Sequence, residues 1–324
     1  MMQSMNEAVL RQLHQWLASD IDCWLCTIIS TVGSSPRPVG SLMAFNTLGG
    51  LIGTLSGGCI EEDIAARSVQ SEFTEDSPSL LDYGVSAEEN ERLGLPCGGR
   101  LQVLVQKIPA VDEEIEKIAM MLTAIDKRLC ILRLSSLDTN ESRLEPVSHY
   151  RAFKVSGKNV IQCFGPQYLM LLVGAGQLSK TVAELAVAMD YRVLVCDPRP
   201  DLIDQWSLPE IEAIFGMPDE IIRQYASDPH SVVISLTHNT AIDDLAVATG
   251  LETDAFYVGS LGSMRTSEKR RKRLLDSGMT TSRLQNLHAP VGLSIGSKTP
   301  IEIAVSIMAE ITALRNQTNM KSSV

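Results

Sequence analysis

The sequence predicts an α/β protein: an α+β domain first, then a Rossmann-like, doubly wound parallel sheet. Three observations carry this. From Leu169 onward, short apolar strands alternate with amphipathic helices, the pattern of a parallel sheet covered on both faces. The stretch LLVGAGQLS (171–179) joins a strand to a helix through Gly174-x-Gly176. Ahead of Leu169 the pattern is irregular, with short strand pairs broken by glycine and proline. The 324 residues hold two ordinary domains, which we place at 1–108 and 169–324, with 109–168 as a connecting region.

The elements follow in chain order. Leu10, Leu13 and Leu17 recur at helical spacing, with Asn6 as candidate N-cap. CWLCTIISTV (23–32) is a strand rich in β-branched residues, and GSSPRPVG (33–40) is irregular. Strands at 41–45 and 51–55 flank a turn at 47–50, and SGGCIE (56–61) opens a helix through Ile64 and Val69. A strand follows at 101–108. Ile115, Ile118, Leu122 and Ile125 mark an amphipathic helix, 129–134 is a strand, and the polar SSLDTNESRLEP (135–146) is a surface loop. Residues 150–155 and 160–164 flank a hairpin turn.

In the second half, strands are expected at 169–173, 192–196, 212–215, 231–236, 255–258 and 292–295. Leu178, Val182, Leu185 and Met189 form the buried face of the first helix. The last helix starts with Thr299 as N-cap, Pro300 at N1 and Glu302 at N3. Ile301, Val305, Met308 and Ile311 are its expected buried face.

Composition excludes several classes. Lys+Arg of 28 against Asp+Glu of 39 gives a net charge of −11, which argues against a broad grip on nucleic acid or an anionic membrane. Hydrophobic residues at 44% exclude wholesale disorder. No apolar run reaches membrane-span length, and the N-terminus, with Glu7 and Arg11, lacks a signal-peptide core; the expected location is the cytoplasm. Seven cysteines, odd in number and scattered, read as packed thiols with one or two chemical ones. Cys23 and Cys26 fall inside a strand, where i and i+3 point to opposite faces, so they are a poor redox or zinc motif.

Four motifs carry candidate chemistry. Gly174 and Gly176 suit a diphosphate at a helix N-terminus, and Asp197, 21 residues after Gly176, stands where a ribose-binding acid is expected. Arg199 is an alternative phosphate partner. His238, in SLTHNTAIDD (235–244), follows a strand's carboxyl end and is a candidate proton-transfer or orienting group; the competing reading has 237–239 capping the next helix, with Asp243 and Asp244 solvated. Gly262 and Ser263 lie in a small-residue loop suited to anions, ahead of the basic run 269–273, read as a solvated helix face or, alternatively, an acidic partner's docking patch. Lastly, Cys59 follows Gly57-Gly58 at a helix start, and Cys97 precedes Gly98-Gly99. A thiol at a helix N-terminus is an activated nucleophile or soft-metal ligand, and Glu61 is a candidate proton-transfer partner; two packed cysteines in glycine turns are the plainer alternative.

Taken together, VGSSPRPVGSLMAF, GLIGTLSGGCIEE, PCGGRLQVLV, LLVGAG, VCDPRP, LTHNTAIDD, YVGSLGSMR and HAPVGLSIGSKTPIEIAVSIMAEI resemble the XdhC/CoxI family of accessory proteins for molybdenum hydroxylases. The resemblance is weakest between 109 and 168. It implies an XdhC-type N-terminal domain followed by a Rossmann-like domain. It implies that the protein binds molybdenum cofactor (molybdopterin), supports its sulfuration, and inserts it into a xanthine dehydrogenase-type molybdenum hydroxylase, with a cysteine desulfurase as candidate sulfur donor. It also implies metal-facing and catalytic roles for Cys59 and Cys97, and cofactor contacts from Gly33, Ser34, Ser35 and Arg37 and from Gly57, Gly58, Gly98 and Gly99. A homodimer is expected from the prevalence of symmetric oligomers. The rival readings are an NAD(P)-dependent oxidoreductase built on Gly174, Gly176, Asp197 and His238, and a scaffold that binds no small molecule. The sequence holds no recognised iron–sulfur or flavin motif, which suits a helper better than a complete redox enzyme.

Overall fold

A ten-residue strand whose side chains alternate between two apolar layers organises the first half of the molecule. The computed structural model describes residues 2–33, 37–70, 72–73, 77–84 and 99–321. The chain divides into two units, one running to Pro166 and the other from Gln167 to Asn319.

The first unit holds α1 (Met2–Ala18), β1 (Cys23–Val32), β2 (Leu42–Asn46), β3 (Leu51–Gly53), α2 (Cys59–Val69), β4 (Ser79–Tyr83), β5 (Arg100–Ile108), α3 (Asp112–Asp126), β6 (Cys130–Ser136), β7 (Ser142–Val147), β8 (Lys154–Ser156) and β9 (Asn159–Phe164). Its strands form two antiparallel sheets, in the orders β3-β2-β1-β5-β4 and β7-β6-β9-β8. The pleat of β1 sends Cys23 and Leu25 into a core shared with α1 and α3, and Cys26 and Ile28 into a second core shared with α2. The two thiols therefore sit in different layers, as their spacing predicts. Burial pushes the Cys23 thiol up to about 12, and that of Cys26 higher still.

Four details correct the sequence reading. Asn6 does not cap α1, which begins four residues earlier. It is buried, donates to the Gly40 carbonyl (2.9 Å) and accepts from the Leu42 N–H (3.0 Å), pinning the 33–40 loop where it enters β2. The span 109–168 carries α3 and a whole sheet, and Ile118, Met121, Ile131 and Phe164 join the core built on α1. Half of the expected loop 135–146 is β7: the Ser136 hydroxyl accepts from the N–H groups of Asp138 and Thr139 (both 3.1 Å), and the chain turns back to pair with β6. β7 is polar because it lies on the sheet's edge, with its side chains half-exposed. β4, absent from the sequence reading, is likewise an edge strand, with Leu80 exposed. The β8–β9 hairpin forms as expected, with Gly157 at φ 58° in its turn.

The second unit alternates β10 (Leu169–Val173), α4 (Gln177–Ala188), β11 (Arg192–Asp197), α5 (Pro200–Asp204), β12 (Glu212–Phe215), α6 (Pro218–Tyr225), β13 (Ser231–Ser235), α7 (Thr240–Glu252), β14 (Tyr257–Ser260), α8 (Met264–Asp276), α9 (Thr281–Leu284), β15 (Leu287–His288) and α10 (Pro300–Lys321). The sheet is parallel, in the order β12-β11-β10-β13-β14-β15. This is the doubly wound order, and its direction of winding reverses between β10 and β13, where such sheets open a crevice. Met170 and Leu172 face one core and Leu169, Leu171 and Val173 the other, so β10 is apolar throughout.

The sixth strand is Leu287–His288, not 292–295. Gly292 (φ 95°) and Gly296 (φ 77°) are both left-handed, and Leu293 and Ile295 between them are exposed. The expected face of α10 also rotates. Met308 and Ile311 are buried, but Ala304 and Ile307 complete the stripe, while Ile301 and Val305 face outward. The Thr299 cap holds: Glu302 accepts from the N–H groups of Lys298 (2.7 Å) and Thr299 (2.9 Å). Among the described residues, no helix is long and apolar enough to cross a membrane.

Candidate functional site

The first candidate site is the turn that leads into α2. Gly57 and Gly58 take φ of 102° and 148°, values that side chains rarely adopt, although a Cβ at either would meet nothing. The backbone, not crowding, requires glycine here. What bends it is Glu61, which is 6% exposed. Its Oε1 accepts from the Thr54 hydroxyl (2.5 Å) and from the N–H groups of Leu55 (2.5 Å), Ser56 (2.9 Å) and Gly57 (3.3 Å). Its Oε2 accepts from the Ser56 hydroxyl (2.6 Å) and the Gly58 N–H (2.9 Å). Burial alone would raise this carboxyl, but the hydroxyls and N–H groups outweigh it and hold it down at about 2.

That geometry gives Glu61 a job other than proton transfer. A group ionised down to about pH 2, with both oxygens occupied, shapes the loop and accepts no proton near neutrality. The N–H groups at 55–58 already point at an internal anion, so the turn is not an open phosphate nest. What it displays is Cys59, the first residue of α2, which is exposed. Cys23, Cys26, Cys130, Cys163 and Cys196 are all buried.

Gly33 lies against the second glycine turn: a Cβ on it would stand 3.6 Å from the Gly99 Cα, where β1 and β5 end as a pair at Val32 and Arg100. The structure thus joins two motifs 66 residues apart in the sequence. Arg37 is half-buried, and Ser34, Ser35, Cys97 and Gly98 lie outside the described residues.

The second candidate site is the carboxyl edge of the parallel sheet. Gly174 takes φ 111°, and a Cβ there would meet Thr237 Cγ2 at 2.9 Å, so glycine lets the loops after β10 and β13 touch. Asp197 is fully buried; it accepts from the Ala175 N–H (2.9 Å), the Arg199 N–H (3.0 Å) and two nitrogens of the Arg199 guanidinium (2.8 and 2.7 Å). Burial works against its ionisation, but these donors hold its carboxyl below the ordinary range. Both oxygens expected to receive a ribose are therefore occupied, and Arg199 is bound to them instead of reaching outward for a phosphate. Gly176 is open and caps α4.

His238 is exposed and makes no hydrogen bond among the described residues. Its loop is fixed from below by Asp243, which is buried and accepts from the Ser235 hydroxyl and from the Thr237 hydroxyl (2.6 Å) and N–H (3.2 Å). Asn239 caps α7, accepting from Ala241 (3.0 Å) and Ile242 (3.3 Å). Gly262 precedes Ser263, whose hydroxyl caps α8 through the Thr266 N–H (3.2 Å).

The basic run 269–273 is divided: Lys269, Lys272 and Arg273 are exposed, as on a solvated helix face, whereas Arg271 is half-buried and Arg270 is buried. Arg270, 2% exposed, reaches Asp243 (3.3 Å), Asp244 (2.9 Å) and the Leu261 carbonyl (3.2 Å). Arg273 binds Asp244 (2.6 Å), and Arg271 donates to the carbonyls of Leu284 (2.6 Å) and Leu287 (2.7 Å). Asp243 and Asp244 are paired acids, not solvated ones. Of the run, only Lys269 and Lys272 stay exposed without an ion pair among the described residues.

A sequence profile described as the XdhC and CoxI family matches residues 16–84, and one described as the XdhC Rossmann domain matches residues 170–311. The chain belongs to the XdhC and CoxI family. It is similar to a Bacillus subtilis (strain 168) protein named as a probable subunit of xanthine dehydrogenase, 28% identical across 90% of this chain and 93% of the other. An Escherichia coli (strain K12) protein named molybdenum cofactor insertion chaperone PaoD is 23% identical across 96% of this chain and 89% of its own. A crystal structure described as a xanthine dehydrogenase from Bacillus halodurans matches at TM-score 0.71 and 25% identity, covering 95% of this chain and 96% of that one.

The XdhC and CoxI profile takes in the Glu61-braced turn and Cys59, and the XdhC Rossmann profile takes in the whole carboxyl-edge network. Among the described residues, no three His, Cys, Asp or Glu side chains converge as a metal cage. Sequence reasoning missed three arrangements. Thr54 and Ser56 escape notice because their role lies in where Glu61 points. Arg270 and Arg273 carry a signal, an i, i+3 spacing that puts them on one helix face. Glu310 accepts from the Tyr257 hydroxyl (2.6 Å) and the Gly292 N–H (2.8 Å) and contacts His288 Nδ1 (3.0 Å); Tyr257 and Gly292 lie 53 and 18 residues away.

Proposed function

We propose that this protein is a molybdenum cofactor chaperone. It binds molybdenum cofactor as cargo, supports sulfuration of the metal with a cysteine desulfurase as sulfur donor, and inserts the cofactor into a xanthine dehydrogenase-type molybdenum hydroxylase. It works in the cytoplasm as a homodimer. The observation that carries this reading is Cys59, among the described residues the one exposed thiol, at the first turn of a helix beside a turn that Glu61 braces. Full-length likeness to a relative named as a molybdenum cofactor insertion chaperone supports the same reading.

The chemistry is direct. A thiolate is a soft ligand for a metal already bound by sulfur. Because the nest at 55–58 is filled internally, Cys59 meets the metal end of the cofactor and the loop does not hold the phosphate tail. Cys97, two residues before Gly99 in the sequence, is the second thiol we assign to the cofactor. An accessory protein must also release its cargo, and an exposed thiol contact suits transfer better than a closed cage.

The test is co-purification with cofactor, followed by molybdenum and pterin analysis of the wild-type protein and the Cys59→Ala and Cys97→Ala variants. Loss of molybdenum in Cys59→Ala supports the assignment; equal occupancy in all three, or none in any, removes it.

A further inference from the structure

The strongest unassigned chemistry lies in the small sheet of the first unit, outside both profile-matched segments. In the β6–β9 register Leu132 stands opposite Cys163, which places Cys130 on the same face, on the diagonal to Cys163. The two thiols share one apolar cluster with Leu132, and both are buried. The neighbouring Cys130 side chain, with the Arg151 N–H and charge, outweighs burial and holds the Cys163 thiol below its ordinary value, whereas burial raises Cys23, Cys26 and Cys196.

Cys163 lines a cavity of about 30 Å³ together with Asn6, Gly40, Phe153 and Gln162. That is about the volume of one water molecule in the liquid. Cys130 borders a separate, open groove of about 460 Å³ with Met120, Leu129 and Pro146. Each thiol thus borders open space of its own, Cys163 the small cavity and Cys130 the larger groove.

We propose that Cys130 and Cys163 form a peroxide-reactive dithiol that closes reversibly to a disulfide. The Cys163 thiolate attacks one oxygen of hydrogen peroxide: an S–O bond forms, the O–O bond breaks, and the departing hydroxide takes up the proton Cys163 released, leaving as water. Cys130 then attacks the Cys163 sulfur: the S–S bond forms, the S–O bond breaks, and the Cys130 proton goes to the departing hydroxyl as a second water. Two thiols lose two electrons and one peroxide gains them. Two equivalents of a small thiol reverse the step and emerge as their own disulfide.

The test uses the whole chain. Reduced protein is treated with one equivalent of hydrogen peroxide, alkylated and mapped by peptide mass spectrometry. The expected product is a Cys130–Cys163 cross-linked peptide that dithiothreitol reopens. In Cys130→Ser, Cys163 should accumulate as a sulfenic acid that dimedone traps; in Cys163→Ser, Cys130 should remain an alkylatable thiol. Oxidation at Cys59 with both Cys130 and Cys163 still alkylatable overturns the proposal, as does Cys130 oxidation in Cys163→Ser as fast as in the wild type. The wild-type map decides the matter even if a variant fails to fold.

Discussion

In the first unit a glycine turn is held by Glu61, whose donors are neutral hydroxyls and N–H groups from residues 54–58. In the second, the turn at 174–176 is held by Asp197, which faces Arg199, and the turn at 237–239 by Asp243, which faces Arg270. The first brace is local, and leaves the adjacent Cys59 exposed. The second brace links residues far apart in sequence and occupies the acceptors that a nucleotide would need. One device, a buried carboxylate under a turn, displays chemistry in one place and closes it off in the other.

The largest expected effect breaks the ionic side of this comparison. Arg270→Met leaves Asp243 and Asp244 without their buried partner and should cost about 3–5 kcal/mol, read by urea unfolding. An effect below about 1 kcal/mol would mean that the pair is solvated in solution. Next comes the neutral brace. Glu61→Gln keeps the shape but replaces one acceptor with a donor facing donors, and should cost about 3 kcal/mol at pH 7.

Acid sharpens the second prediction. Glu61 has its carboxyl held at about 2 against an ordinary 4.5, so in the acid range the unfolded chain binds more protons. Its stabilisation is whole above pH 4.5 and is lost as pH falls through about 2. The stability gap between the wild type and Glu61→Gln should therefore shrink over that window, and a gap independent of pH would contradict the assignment. Asp197→Asn comes third, at about 1–2 kcal/mol, because Arg199 is half exposed and regains water when released.

The sequence made the sheet of the second unit legible because buried parallel strands are continuously apolar: β10 and β12 fall on the expected residues. It also separated Cys23 from Cys26, since strand periodicity alone decides that. The edge strands β4 and β7 were not legible, because a half-exposed strand has the composition of a loop. The outward turn of Ile301 and Val305 on α10 was hidden for a related reason: apolar residues mark a face only when the neighbouring element is known. In the candidate site, spacing singled out Cys59 and Glu61 but gave Glu61 the wrong task, because the direction of its side chain depends on a backbone that the carboxylate itself bends. The run 269–273 misled at Arg270, which is buried among acids, while Lys269, Lys272 and Arg273 are exposed as a solvated face would be.

We propose that the exposed thiol of Cys59, on its Glu61-braced turn, holds the cargo. As an exposed surface position, Cys59→Ala should shift stability by less than about 0.5 kcal/mol, the smallest effect in the series. The most direct measurement is the molybdenum and pterin content of the anaerobically isolated wild-type protein beside Cys59→Ala, with the melting temperature of each recorded. Unchanged melting and loss of bound molybdenum are expected in the variant. Equal molybdenum in the two proteins, or none in either, would contradict it.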